Sequence, residues 1–481
     1  VPPSQKPWGP PREPDPGPAW GPDPKTPPGP GPARIGVVGG VAVALAVSLA
    51  INVVLALRIK TEIDQQQRLR DQVAALQDEV DTLRNRGPEP TGGSVLERIA
   101  AAVEQIRELE FKKAVAPELL SAADLRERIK KQFAIDNPRN EIDELDKVLT
   151  AFGLMKPQDD LYDVLLDVQT EQIAGFYDTK TKKLVIGGNA NSPSPLDRVL
   201  LAHEYTHALT DQHFDLTHFD ELAEKRKDDE ALAYLALIEG DATVLMRTYA
   251  LQLLTPSEQQ QFLNDSSAAP SDALDRAPNV IRESLLFPYQ LGVDFVQAIL
   301  EKGGIDALNA AYKDPPTSTE QIIHTSKYTG RRDDPTAVTV PNLARELGAG
   351  WKGFESGGFG EFDMRVLVDE FLSRGDATSA SEGWDGGRFA AAESSGGVLV
   401  AALTAWDSES EAREATDLLG RWLPNRFGNK GQDMKLTGVS GRGWESPNGA
   451  GAVIRDGERV LLIIGPDRAG VEDARAAFPG F

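Results

Sequence analysis

Apolar positions follow several distinct rhythms along this chain, and each predicts a different element. Residues 35–57 run for 23 positions without a charge. At 1.5 Å per helical residue this length crosses a hydrocarbon core of about 30 Å, so the run predicts one transmembrane helix. It is longer than the apolar core of a secretory signal and begins only after residue 34, which favours an uncleaved anchor. Further on, Ile59, Leu69, Val73, Leu76, Val80 and Leu83 fall, together with Glu62 and Gln66, at steps that alternate between three and four. This short heptad seam predicts a helical stalk over residues 58–94, either a coiled coil that makes a homodimer or a single amphipathic helix. Gly-Pro-Glu-Pro-Thr-Gly-Gly at residues 87–93 ends it as a linker.

A helical stripe returns at Leu196, Val199, Leu200, His203 and His207. Ser194, Pro195 and Asp197 precede it as N-cap, first helical residue and capping-box acid. Another stripe, Ala231, Leu235, Ile238, Ala242, Leu245 and Tyr249, predicts a helix over residues 228–254. Alternation around Asp178-Thr179-Lys180-Thr181 predicts a β-hairpin over residues 173–186. Towards the C-terminus, residues 397–406 and 460–464 read as strands, and residues 409–423 and 470–478 as helices. These predict an α+β module, two hairpins with helices on one face, following a turn at residues 384–387.

Composition narrows what these elements can do. Of 481 residues, 14 of the first 34 are proline, which predicts a disordered tail. Against 51 basic residues stand 74 acidic ones, a net charge of −23 that argues against a nucleic-acid partner. There is no cysteine, so thiolate metal sites, disulfides and cysteine nucleophiles are excluded. Only five histidines remain for imidazole chemistry: His203, His207, His213, His218 and His324.

Two of them form His203-Glu204-Tyr205-Thr206-His207, an HExxH motif. The i, i+4 spacing sets both imidazoles side by side on one helix face, able to grip one metal ion, and Glu204 beside them can act as a base. The bland reading is a pair of hydrogen-bonded core histidines. A catalytic zinc takes a third protein ligand, and the candidates are His213, His218 or a downstream carboxylate. Glu239 falls inside the apolar stripe of the 228–254 helix, where a lone carboxylate needs a partner, and a divalent cation is one. An arginine such as Arg247 is the other. Gly240 permits a close helix approach, and Asp241 is positioned to orient a ligand imidazole.

HEYTH followed by Glu239-Gly240-Asp241-Ala242 resembles the gluzincin branch of HExxH zinc metallopeptidases, in particular uncharacterised bacterial membrane-anchored members, over roughly residues 95–330. The resemblance implies a mostly α, zincin-like α+β peptidase domain with Zn2+ on His203, His207 and Glu239. It implies Glu204 as the catalytic base and a histidine or tyrosine near the metal to stabilise the oxyanion. His324 is the candidate for that role, with Tyr289 and Tyr328 as rivals. It also implies that the strand before the metal helix forms an edge that pairs with extended peptide substrate.

The expected chain is therefore multi-domain: a disordered Pro-rich tail (1–34), a transmembrane helix (35–57), a stalk (58–94), a peptidase domain (95–332) and a C-terminal α+β domain (333–481). The C-terminal domain shows no catalytic constellation and is expected to present substrate or bind protein. A single-pass cell-membrane protein is expected, with its N-terminus in the cytoplasm and its C-terminal domains outside. The expected function is hydrolysis of peptide or protein substrates. The alternatives are a catalytically silent, membrane-tethered binding module and a structural zinc closed by His213 or His218.

Overall fold

The computed structural model describes residues 46–48, 93–187, 192–268 and 271–481. In chain order the described elements are β1 (Ala46–Ser48), α1 (Val95–Arg107), β2 (Glu118–Leu120), α2 (Ala122–Asp136), α3 (Arg139–Phe152), α4 (Leu161–Gln172), β3 (Ile173–Asp178) and β4 (Lys183–Gly187). Helices follow: α5 (Pro195–Phe214), α6 (His218–Glu224), α7 (Asp228–Leu253), α8 (Pro256–Ser267), α9 (Asp272–Arg276), α10 (Asn279–Ala311), α11 (Thr319–Ile323), α12 (Ser326–Thr329) and α13 (Leu343–Leu347). The remainder is β5 (Lys352–Gly358), α14 (Glu361–Asp369), α15 (Arg374–Ser381), β6 (Trp384–Ser394), β7 (Gly397–Trp406), α16 (Glu409–Arg426), β8 (Gln432–Met434), β9 (Ser440–Ser446), β10 (Gly449–Asp456), β11 (Arg459–Gly465) and α17 (Arg468–Ala476).

The architecture corrects the expected one. Among the described residues there are 17 helices and two sheets, and no helix is long and apolar enough to cross a membrane. Of the apolar run at 35–57, the described part is β1, which pairs antiparallel with β3 through Ala46↔Phe176 and Ser48↔Ile173. An apolar run answers equally to a bilayer or to pairing inside a protein, and these three residues take the second course. The tail at 1–34 and nearly all of the stalk at 58–94 lie outside the described residues.

The chain divides into two units, Val1–Ala33, which lies outside the described residues, and Arg34–Phe481. The boundary expected at residue 332 is not a break in its core. One apolar cluster joins Phe133, Val148 and Phe152 to Ile238 and Phe295, and continues into Phe359, Phe389, Val400, Trp422 and Ile464.

The smaller sheet has the order β1-β3-β4-β2. Its hairpin forms as predicted, with Gly175↔Ile186 and Asp178↔Lys183 in antiparallel register. Alternation divides its faces: Phe176 and Val185 meet Leu125 and Ile129 of α2, whereas Tyr177, Leu184 and Ile186 meet Leu201 and Tyr205 of α5. The expected free edge is absent, because β1 pairs β3 and β2 pairs β4.

The larger sheet is antiparallel throughout, in the order β5-β6-β7-β11-β10-β9-β8. Helices cover both of its faces, where one was expected. Val400, Ala402, Leu462 and Ile464 face α16 with Leu419 and Trp422, while Leu399, Ala401, Leu461 and Ile463 face α17 with Val471 and Ala474. Burial on both sides explains why β7 and β11 read as unbroken apolar runs. The residues 384–387, expected as a turn, instead open β6 with a register shift between Trp384 and Gly386.

The two halves meet at the N-terminus of α7. Asp228 Oδ2 accepts from Gly358 N at 3.1 Å, and Asp229 Oδ1 accepts from Thr319 N at 3.2 Å and from the Thr319 hydroxyl. Arg226 pairs with Glu355, and its Nε donates to Ser356 O. Glycine is needed for this fit: a Cβ on Gly357 would lie 1.9 Å from Asp228 Oδ2, and one on Gly360 would lie 1.8 Å from Asp229 Oδ1. Burial raises the carboxyls of Asp229 and Glu355 to about 7 and that of Glu320 to about 8. An acid with a raised folded pKa contributes stability that is full below its unfolded pKa and is lost as pH rises through the folded value. Melting midpoints followed by circular dichroism are therefore expected to fall between pH 6 and pH 8.5, and Asp229→Asn should flatten part of that slope. A midpoint that stays level or rises over this range contradicts the assignment.

Candidate metal centre

Local sequence builds the metal helix as expected. Ser194 caps α5 and Asp197 completes the capping box, with Pro195 in the first turn. From Val199 to Asp211 every residue of α5 is buried. Asp211, four residues after His207, fastens the hairpin to this helix. Its carboxylate accepts from Tyr177 OH at 2.7 Å and from Leu216 N at 3.0 Å, and pairs with Lys182 at 2.8 Å.

The structure brings His203, His207 and Glu239 together. His203 Nε2 lies 2.9 Å from His207 Nε2 and 3.2 Å from Glu239 Oε2, and His207 Nε2 lies 3.5 Å from the same oxygen. Ligand bonds of about 2.0–2.1 Å in a tetrahedron separate their atoms by roughly 3.3–3.4 Å, so this spacing suits three corners of a zinc-sized site. All three side chains are buried, and these three residues form a group able to hold a metal ion. No fourth histidine or carboxylate joins them among the described residues. His213 Nε2 lies 2.8 Å from Glu110 O, and His218 faces Glu221 and Tyr234, so neither closes the site.

Electrostatics fit a cation. Glu204, Glu239 and Asp241 are each at most 2% exposed, and Arg107, at 1%, is the buried base beside them. Three carboxylates against one guanidinium leave a formal charge of −2, which a divalent ion would cancel. Burial first, and then His207, push the His203 imidazole down from its ordinary pKa. At His207 burial acts in the same sense and is the largest single effect, but the charge and hydrogen bond of Glu239, with the charges of Glu204 and Asp241, together outweigh it and the pKa rises. Burial also opposes the Glu239 carboxylate, yet His207 and His203 bring it down to about 2.

Other candidates are placed differently from expectation. Asp241 does not orient an imidazole. Its Oδ2 accepts from Arg107 Nε at 3.0 Å and from Tyr312 OH at 2.9 Å, while Nδ1 of His203 and of His207 have no hydrogen-bond partner. In a helix, two residues on from Glu239 is a turn of about 200°, which points Asp241 away from the ligand face. His324 caps the end of α11, with Nε2 3.1 Å from Glu361 Oε1. That bond, with the charges of Glu361 and Glu320, raises its pKa against the opposing effect of burial. Tyr328 OH donates to Asp314 O.

Tyr289 is the rival that reaches the centre. Its ring lies over that of His203 with centroids 6.3 Å apart at 24°. Burial, then the Glu239 and Glu204 charges, hold its phenol well above the usual pKa, so it remains a hydrogen-bond donor. Arg107 and Tyr312 had no sequence signal; the partners that define them lie 134 and 71 residues from them in the chain.

A protein-family model described as a domain of unknown function (DUF8575) matches residues 345–475. It covers all seven strands of the larger sheet and none of the triad. No curated protein and no solved structure matches the chain.

Proposed function

We propose that the chain is a zinc-dependent hydrolase of peptide bonds, its metal held by His203, His207 and Glu239. The observation that carries this reading is the convergence of three buried ligand atoms within 4.8 Å of one another, with no fourth protein ligand among the described residues. A catalytic zinc site takes three protein ligands and keeps one position for water or substrate. Zinc bound there would polarise the scissile carbonyl and acidify a water molecule.

The chain's own residues supply the rest. Glu204 follows His203 directly on α5, and its charge is felt both at His207 and at Tyr289. It takes the proton from the attacking water and passes it to the leaving amine. Tyr289, a neutral donor beside Glu239, supplies a hydrogen bond to the oxygen on which negative charge develops. Arg107 and Tyr312 hold Asp241, which fixes the turn of α7 that carries Glu239.

Glu204→Gln tests the assignment. Glutamine keeps the shape but accepts no proton, so zinc content and melting behaviour should match the parent while hydrolysis of casein or a peptide library falls by roughly 10²–10⁴-fold. Cleavage at the parent's rate by this variant removes Glu204 from the mechanism. A parent that binds zinc yet cleaves none of a broad peptide library favours the binding-module reading instead.

A further inference from the structure

The helix crossing beside Glu239 has no slack. A Cβ on Gly240 of α7 would lie 2.3 Å from Gly292 O of α10, and a Cβ on Gly292 would lie 2.2 Å from Ala236 O. Backbone meets backbone here, with no room for a side chain at either position of the crossing. Val296, fully buried one turn further along α10, closes the same contact: its Cγ2 would lie 2.9 Å from the Gly240 Cβ. Both glycines sit in ordinary helical backbone, so close approach, not unusual dihedrals, is what requires them.

Tyr289 stands one turn before Gly292, and Glu239 stands next to Gly240. The crossing therefore sets how far the phenol reaches across to His203 and Glu239. Pro288, immediately before Tyr289 inside α10, provides no amide for the Ser284 carbonyl, and the Ser284 hydroxyl is itself buried without a hydrogen-bond partner. With the helix's own ladder interrupted there, the glycine contact is a backbone constraint on the turn that carries Tyr289, beside the packing of Phe287 on Phe362.

We infer that Gly292, through its contact with α7 at Ala236 and Gly240, is a positioning residue that holds the Tyr289 phenol at the metal centre. This deepens the hydrolase reading and rests on it for the role of Tyr289, but the placement of the phenol can be tested without any turnover. Gly292→Ala adds one methyl group at the crossing and leaves all three ligands, Glu204 and Tyr289 unsubstituted.

The test uses the full chain labelled with 3-fluorotyrosine and followed by 19F NMR. Of the eight tyrosines, Tyr289 is assigned by the resonance lost in Tyr289→Phe. In the parent this resonance should shift when Zn2+ is added. In Gly292→Ala zinc should still bind stoichiometrically, but the Tyr289 shift should be lost or markedly reduced. Hydrolysis should fall by on the order of 10²-fold, as expected for a group displaced by about 1 Å, and adding Tyr289→Phe should lower it no further. Val296→Ile enlarges the same crossing without touching the backbone contact, so the claim stays testable if Gly292→Ala does not fold; an intermediate loss of the shift is expected. A Tyr289 resonance that responds to zinc in both variants as it does in the parent overturns the inference. If the parent cleaves nothing while its Tyr289 resonance shifts with zinc and that shift is lost in Gly292→Ala, the hydrolase reading fails and the positioning stands.

Discussion

Replacing His203 by alanine is expected to abolish metal binding by the chain. Two of the three ligand contacts involve this ring: it lies 2.9 Å from His207 Nε2 and 3.2 Å from Glu239 Oε2. Without it a histidine and a carboxylate remain, too few to hold zinc against chelating buffers. Metal content should fall from about one zinc per chain to below a tenth of that, by the ligand-count argument. The melting midpoint should drop to that of chelator-treated parent, since binding stabilises only the folded state. Glu239→Ala should behave similarly. Glu230→Ala should not, because Glu230 lies in the first turn of α7 paired with Lys227 on the surface. Full zinc retention by His203→Ala, measured by elemental analysis, would sink the site.

The second large effect concerns the C-terminal residues. A chain of residues 95–332, ending where composition alone suggests a domain boundary, is expected not to fold. Phe152 packs on Phe359 and Phe389 with ring centroids 5.9 and 6.5 Å apart, and Phe287 on Phe362 at 4.6 Å. Val148, Leu149 and Phe295 share the same core. Exposing a large apolar side chain costs roughly 1.5–3 kcal/mol. Five of them together match the roughly 5–15 kcal/mol by which a domain is stable. Asp228 and Asp229 would also lose Gly358 and the support of Gly360 at the start of the helix that carries Glu239. Circular dichroism and zinc titration of the 95–332 chain should show no cooperative melting and no tight binding. A cooperative transition with stoichiometric zinc would mean that the larger sheet is a separate attachment.

How much could be read from the sequence follows from the range of the interactions. HExxH lies within five residues, and its helix announces itself through Ser194, Pro195 and Asp197, so the two histidines were legible. Glu239 was legible as a carboxylate in an apolar stripe. The hairpin was legible through its alternation and its Asp178 turn, in which Asp178 accepts from Lys180 N and Thr181 N. Strands β5 and β9 were not, because Lys-Gly-Phe-Glu-Ser-Gly-Gly and Ser-Gly-Arg-Gly-Trp-Glu-Ser carry few β-branched or alternating apolar residues. Nor could the shared core be read, since nothing local distinguishes a strand covered on both faces by its own domain from one completing another. His324 and Tyr289 were equal in residue chemistry; what separates them is the crossing of α7 and α10, a contact over about fifty residues of chain. The apolar run at 35–57 misled because length and hydropathy measure burial and do not name the medium.

The central claim is that His203, His207 and Glu239 bind one zinc ion and keep a position open. Zinc K-edge X-ray absorption on the full chain, purified without added metal, tests it most directly. The predicted result is about one zinc per chain in a four-coordinate shell of nitrogen and oxygen near 2.0–2.1 Å, with the scattering of two imidazoles. Absence of bound zinc, or a shell with three or more imidazoles, would contradict the account.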